Sequence, residues 1–248
     1  MTGHDLLKGK VVVVTAAAGT GIGSAAARRC LEEGARVVVS DWHERRLAET
    51  AAALGDVLAI PCDVTDEAQV QALIDGTVAS YGRLDVMINN AGLGGTRSVL
   101  EMTDDEWSKV LDVTLNGTFR CTRAALRQLV AQGGGGAVVN NASVVGWRAQ
   151  EGQAHYAAAK AGVMAFTRCA AMDVAAHGIR VNAVAPSLAM HPFLAKVTSE
   201  ELLTELASRE AFGRAAEPEE VANVMVFLAS DLASYLTGEV ISVSSQHP

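Results

Sequence analysis

Val11-Val12-Val13-Val14-Thr15-Ala16-Ala17-Ala18-Gly19-Thr20-Gly21-Ile22-Gly23 is the stretch on which the reading of this chain turns. A run of β-branched residues, four valines closed by a threonine, reads as a strand, Val11–Thr15, buried on both sides. The chain then becomes small and glycine-rich, and an amphipathic run from about Ile22 to Glu33, ended by Gly34, predicts a helix. Glycines at a strand-to-helix turn let backbone amides approach a pyrophosphate, and the helix start offers its positive end to the phosphate. Gly19, Thr20, Gly21, Ile22 and Gly23 are therefore candidate cofactor contacts. A turn that only packs a helix onto a sheet uses the same residues, so the stretch needs support from the rest of the chain.

Downstream the alternation repeats. Strands are predicted at Val37–Ser40, Val57–Pro61, Asp85–Asn89, Ala137–Asn141, Arg180–Val184 and Glu239–Val243. Helices are predicted at Glu44–Leu54, Asp66–Tyr81, Asp105–Val130, Gln153–His177 and Pro218–Ser230, with Ser187–Ala215 a loop containing helical pieces. Near-continuous apolar strands separated by helices specify the α/β class. The expected architecture is a Rossmann-type, doubly wound parallel sheet of about seven strands, helices on both faces, with ligands beyond the strands' carboxyl ends. No linker, repeat or tail divides the 248 residues, so a single domain over 1–248 is expected.

Composition narrows the function. Half the residues are hydrophobic and 19% are charged, a globular balance. The net charge of −8 opposes nucleic acid as a partner and suits a cytoplasmic protein. Apolar runs such as Val37–Val39 are too short to span a membrane, and His4 and Asp5 stand where a signal peptide would turn apolar. Cys30, Cys62, Cys121 and Cys169 lie far apart without metal-ligand spacing, so buried free thiols and no metal site are expected.

Several polar residues fall at predicted strand ends. Asp41 follows the second strand, where a carboxylate can accept from an adenosine ribose or cap the next helix. Asp63 follows the third and can face adenine or cap a helix; Asn89-Asn90-Ala91-Gly92 ends the fourth and puts small residues beside a cofactor. Tyr156 and Lys160 are four residues apart, hence on one helix face. An ammonium beside a phenol lowers a pKa of about 10 toward working pH, which suits a proton donor to a ketone oxygen. Ser143, thirteen positions before Tyr156, can hold that same oxygen.

With these pieces the sequence resembles the classical short-chain dehydrogenase/reductase family from Lys8 to about Val243. The resemblance rests on the glycine loop, Asp63-Val64, Asn89-Asn90-Ala91-Gly92, Ser143, Tyr156-Ala157-Ala158-Ala159-Lys160, Arg180-Val181-Asn182-Ala183-Val184-Ala185-Pro186 and Phe227-Leu228-Ala229-Ser230-Asp231. It implies an NAD(P)-dependent oxidoreductase that interconverts a secondary alcohol and a ketone by hydride transfer, with Tyr156 as general acid/base. It also implies a homotetramer, with the helices near Asp105–Val130 and Gln153–His177 at the main interface. Tyr156 and Lys160 would contact the cofactor, Lys160 through the nicotinamide ribose; Asp63, Val64, Asn90, Ala91, Gly92, Pro186 and Ala189 complete the implied contacts. Three departures stand out. The family's Gly after Thr15 is Ala16, in a loop one residue longer; its fourth catalytic residue, an Asn, aligns with Thr114 while Asn116 lies on another helix face; and the usual Thr after the Pro-Gly turn is replaced, Pro186-Ser187 leading on to His191.

Residues 187–215 align with the family's substrate lid, where Leu188, Ala189, Met190, Phe193 and Leu194 form an apolar stretch around His191. Trp147, Arg148, Gln150 and Glu151 occupy the other pocket wall. The glycine-loop variant, Thr114 and the ending Ser244-Ser245-Gln246-His247-Pro248 are similar to actinobacterial proteins called 3-oxoacyl-carrier-protein reductases, some of whose relatives are linked to breakdown of steroid rings as coenzyme A thioesters. The expected substrate is a small-molecule ketone or alcohol, bulky and apolar or an acyl thioester such as a coenzyme A thioester. Alternatives are an NADPH-dependent 3-oxoacyl-carrier-protein reductase of fatty-acid synthesis and a catalytically inactive nucleotide-binding scaffold. Asp41 favours NAD over NADP, whose 2′-phosphate would meet the carboxylate, although Arg45 and Arg46 on the next helix offer that phosphate a partner.

Overall fold

Val11–Val14 form β1 with every residue buried, and period-two alternation divides them between two apolar layers. Val12 and Val14 face the layer containing Ala26, Leu47, Val221 and Met225, whereas Val13 faces Val70, Ile74, Ala125 and Leu129. The structure is a computed structural model that describes residues 3–55, 57–190 and 200–245. The other strands are β2 (Arg36–Val39), β3 (Leu58–Ala59), β4 (Val86–Asn89), β5 (Gly136–Asn141), β6 (Ile179–Pro186) and β7 (Val240–Val243). They form one sheet in the order β3-β2-β1-β4-β5-β6-β7, every pair parallel.

Helices α1 (Ile22–Glu32), α2 (Glu44–Ala53) and α8 (Pro218–Ala229) cover one face. Helices α3 (Glu67–Tyr81), α5 (Gly117–Gln132) and α6 (Ala154–Val174) cover the other. α4 (Asp104–Leu111) precedes α5, and α7 (Glu200–Arg209) precedes α8. This is the doubly wound Rossmann-type sheet that the alternation of apolar runs predicts. Caps mark several helix starts: Asp66 accepts from Ala68 and Gln69 on α3, and Thr103 with Glu106 forms a capping box on α4.

The sequence expectations need four corrections. The single helix expected over Asp105–Val130 is α4, a π-helical turn at Asp112–Asn116, and α5. An apolar pattern continues across such a turn, so periodicity does not reveal the extra residue. The strand expected at Val57–Pro61 shrinks to Leu58–Ala59, because an edge strand has one neighbour to pair with. β6 runs longer than Arg180–Val184, to Pro186, since it pairs on both sides with β5 and β7. Cys169 is exposed on the outward side of α6, unlike the buried Cys30, Cys62 and Cys121; all four are free thiols. His191, Phe193 and Leu194 lie outside the described residues, as do Gln246, His247 and Pro248.

Beneath the carboxyl ends of β4 and β5 lies a buried polar network. Asn89 Nδ2 donates to Thr122 Oγ1 and to Asn140 Oδ1, both at 2.8 Å, and Asn140 Nδ2 donates to Thr167 Oγ1 at 2.9 Å. Two strands are thereby tied to α5 and α6 in a place where an unpaired amide would be costly. Asn140→Ala is expected to cost about 2–3 kcal/mol, read as a lower urea midpoint at unchanged slope. A loss below about 0.5 kcal/mol would show that the network contributes little.

Candidate active site

Strand order reverses between β1 and β4, and the crevice opened there is where doubly wound sheets bind ligands. Thr15 Oγ1 accepts from Asn90 N at 3.0 Å and Ala91 N at 3.2 Å, joining the ends of the two strands. Ala16 adopts a left-handed backbone, φ 48°, at the position where the family has glycine. Its carbonyl accepts from Asn90 Nδ2 at 3.1 Å and would lie 2.3 Å from a Cβ on Gly23, so only glycine admits α1 this close. A Cβ on Gly19 or Gly21 would instead meet nothing within 4 Å, and Gly21 caps α1 without a side-chain hydrogen bond. An open cradle of small residues before unbonded helix amides fits the pyrophosphate of a dinucleotide.

Asp41 is buried at the end of β2 and does not cap α2, whose N-cap is His43 without a side-chain hydrogen bond. One carboxylate oxygen accepts from Ala18 N in the glycine loop at 3.3 Å, and the other accepts from His43 N, just before α2, at 2.9 Å. Gly19 N donates to Thr50 Oγ1 at 2.9 Å, so α2 holds the loop as well. Asp63 folds onto Thr65, accepting from its N at 2.9 Å and its Oγ1 at 2.8 Å, and leaves the capping of α3 to Asp66. Val64 is buried against Gly117, where a Cβ would come within 2.6 Å of it.

The second group lies beyond β5. Ser143 caps a short 3-10 turn, donates to Pro186 O at 3.4 Å, and lies near enough to the Tyr156 hydroxyl to favour its ionised form. Lys160 is 2% exposed, one turn along α6 from Tyr156, and its Nζ donates to Asn141 O at 2.5 Å. Gly92 approaches so closely that a Cβ there would be 3.3 Å from Lys160 Nζ and 3.8 Å from Thr114 Oγ1. Thr114 is fully buried in the π turn; its hydroxyl accepts from Leu93 N at 3.0 Å and donates to Leu93 O at 3.2 Å. Asn116 is exposed and bonds Asp112, on a different face as the spacing predicts. Ala189 is buried and bridges to Ala216.

Burial sets the titration of the pair. It pushes the Tyr156 hydroxyl up to about 12, against the nearby Ser143 hydroxyl, which pulls it down. It pushes Lys160 down to about 7. The expectation that Lys160 draws the phenol toward neutral pH is therefore corrected. Desolvation weakens the lysine's hold on its own charge, and its Nζ turns to Asn141 O, 5.4 Å from the Tyr156 ring centre.

A family model described as enoyl-(acyl carrier protein) reductase matches residues 16–245. The crystal structure of a short chain dehydrogenase from Mycobacterium smegmatis superposes with a TM-score of 0.90 at 58% identity, covering 100% of this chain and 97% of that one. The chain belongs to the short-chain dehydrogenase/reductase family. It is an NAD(P)-dependent oxidoreductase that interconverts a secondary alcohol and a ketone. Among its relatives is the (5R,7aS)-5-hydroxy-7a-methyl-1-oxo-2,3,5,6,7,7a-hexahydro-1H-indene-carboxyl-CoA reductase of Mycobacterium tuberculosis, 66% identical over 100% of this chain and 97% of the relative. Another is the cis-4-hydroxycyclohexanecarboxylate dehydrogenase of Sinomonas cyclohexanicum, 44% identical over 94% of each chain. Among the described residues, no helix of this short-chain dehydrogenase/reductase is long and apolar enough to cross a membrane.

Sequence reading does not single out Leu93, His155 or Asn141. Leu93 is held through its backbone, which side-chain identity does not report. His155 is buried beside Tyr156, its ring against Gly95 and its Nδ1 without a partner. Asn141 follows Asn140 at the end of an otherwise apolar strand, and that polar ending is the one signal the sequence carries.

Lys160 makes stability depend on pH. An unfolded lysine titrates near 10.5 and the folded one near 7, so between these values the unfolded chain binds the extra proton and stability rises with pH. The cost is complete below 7 and is at most about 5 kcal/mol. Lys160→Met is expected to raise the melting temperature more at pH 6 than at pH 9; a gain that is constant or grows with pH contradicts the assignment.

Thr114 makes a parallel prediction. Thr114→Ser keeps the two-way link to Leu93 and is expected to stay within about threefold of wild-type turnover, whereas Thr114→Val should lose about tenfold. Equal activity of the two variants would show that the hydroxyl is dispensable.

Proposed function

We propose that this enzyme acts on a bulky ring ketone or ring alcohol carried as a coenzyme A thioester, with NAD as its preferred cofactor. The observation that carries the chemistry is Tyr156 one turn from buried Lys160, whose Nζ lies 5.4 Å from the phenol ring centre, with Ser143 beside them and next to the crevice between β1 and β4. Tyr156 donates its proton to the carbonyl oxygen during reduction and takes it back during oxidation. A hydroxyl held near 12 stays protonated across the working range, as a donor must. Ser143 Oγ donates to the same oxygen as negative charge develops there. Lys160, near 7, exists in both protonation states at neutral pH, which suits a group that resupplies a proton and holds the nicotinamide ribose. The bound nicotinamide supplies or accepts the hydride. Thr114 holds the backbone at Leu93 that runs alongside this group.

Gly19, Thr20, Gly21, Ile22 and Gly23 receive the pyrophosphate, and Asp41 the adenosine ribose. Asp63, Val64, Asn90, Ala91, Gly92, Pro186 and Ala189 line the remainder of the cofactor. The substrate is assigned to the side of the site bordered by residues 187–190 and 200–215; residues 191–199, including His191, lie outside the described residues. The fused-ring coenzyme A thioester named for the Mycobacterium tuberculosis relative and the ring carboxylate named for the Sinomonas relative support the substrate class. The carrier-protein alternative lacks a basic residue in Gly19–Gly23, and the net charge of −8 repels an acidic carrier. A homotetramer is supported by the apolar surface between α5 and α6, where Phe119 packs edge-on against Phe166 with ring centres 5.9 Å apart.

A panel of ring ketones and alcohols, free and as coenzyme A thioesters, assayed with each nicotinamide cofactor tests the substrate class; equal efficiency on free and thioester forms would refute it. Tyr156→Phe should lower turnover about a thousandfold while NAD affinity stays within about twofold. Comparable turnover in that variant would remove Tyr156 from the chemistry.

Asp41 gives the cofactor prediction. A 2′-phosphate a few Å from its carboxylate is repelled by about 1.5–3 kcal/mol after screening, or tenfold to a hundredfold in efficiency. Arg45 is exposed and 3.6 Å from Glu49, so its charge is already partnered on α2. NAD should therefore be used with higher catalytic efficiency than NADP, and Asp41→Ala should narrow the gap. A wild-type preference for NADP, or an unchanged ratio in the variant, would be decisive against Asp41.

A further inference from the structure

Asn141 is the last residue of β5 and is 9% exposed, at the end of a strand whose other side chains, Asn140 apart, are apolar or glycine. A buried amide must be bonded to be tolerated there. Its Nδ2 donates to Asn90 Oδ1 at 2.9 Å, while its own Oδ1 is buried without a partner. The amide is thus held at its nitrogen end, by Asn90.

Asn90 is in turn committed to the glycine loop. Its N donates to Thr15 Oγ1 at 3.0 Å and its Nδ2 to Ala16 O at 3.1 Å. Ala16 is the loop residue held in the left-handed region, φ 48°, which an L side chain resists. There is no slack around this contact: a Cβ on Gly23 would lie 2.3 Å from Ala16 O and 2.5 Å from Asn90 Nδ2. Rotation of the Asn90 amide would leave Ala16 O without its donor and release the loop from that conformation. Asn141 prevents the rotation by fixing the oxygen end. Its backbone carbonyl meanwhile accepts from Lys160 Nζ at 2.5 Å.

We propose that Asn141 is a positioning residue that holds the pyrophosphate-binding loop through Asn90, in a chain of contacts Asn141–Asn90–Ala16. The proposal rests on the reading of Gly19–Gly23 as the pyrophosphate site. Its side chain acts on the loop, and its main chain serves Lys160, so side-chain substitutions separate cofactor binding from chemistry.

The test uses full-length wild type, Asn141→Ala, Asn90→Ala and the double variant, with Asn141→Ser as a second, milder replacement should the alanine variant not fold. ADP-ribose is the probe, since it occupies the loop without a nicotinamide, and its affinity is measured by calorimetry alongside KM and kcat for NAD. Each single variant should bind ADP-ribose about tenfold more weakly, and the double variant no more than about twofold worse than the weaker single. KM for NAD should rise in step while kcat of the Asn141 variants stays within about threefold, a split that general loosening of the fold would not produce. ADP-ribose affinity within about twofold of wild type in a cooperatively folded Asn141 variant, or losses that multiply in the double variant, would overturn the proposal. Wild-type protein that binds neither NAD nor ADP-ribose would sink the reading of the loop and this inference with it.

Discussion

Past Val14 and Asn89, β1 and β4 cannot remain paired, because the chain after β1 leaves for the face covered by α1 and the chain after β4 leaves for the opposite face. The Thr15 hydroxyl takes over where the ladder stops, accepting from two successive amides, Asn90 and Ala91. Everything about the site follows from this fork. It opens a crevice lined by backbone, it fixes where the glycine loop begins, and it brings Asn90 against Ala16 O. Had the two strands continued to pair, their amides would be spent on each other and no anion site would form.

Burial does opposite things to two neighbours. Tyr156 and Lys160 share a helix face, yet loss of water drives one pKa upward and the other downward, because one is charged when it loses a proton and the other when it gains one. The result is a firmly protonated phenol beside an amine poised at neutrality. The fold bears the cost of burying the lysine, and the close approach of Gly92 leaves little room for water to relieve it. Stability is given up where proton traffic requires it.

Much of this was legible in the residues. The valine run and the glycines after it identify the first strand, the turn and α1, and repeated apolar runs give the sheet class, since a central parallel strand has no polar face to show. Tyr156 and Lys160 are found by helical spacing and meet on one face of α6, and Ser143 is found from its place just past the fifth strand. The unseen parts are those that depend on backbone. The Leu93 clamp uses main-chain atoms, the left-handed turn at Ala16 is silent because alanine rarely adopts it, and the amide of Asn141 acquires meaning once Asn90 is opposite. The direction of the Tyr156 shift was misjudged for a related reason: spacing reports adjacency, but not which way Nζ points or how much water remains.

The π turn at Asp112–Asn116 has a different kind of consequence, for the phase of everything that follows it. Each residue advances a helix by about 100°, so one extra position in that turn decides which side of α5 meets the sheet. Ala125 and Leu129 point to the core and Phe119 outward because of that single insertion. The turn is therefore a register mark for the whole second half of the long helix. Point substitutions within it change one contact, whereas loss or gain of a single residue would turn all of α5 by about 100° and carry its buried face away from the sheet. Length at this place is under tighter constraint than composition, the reverse of what holds for an ordinary surface loop.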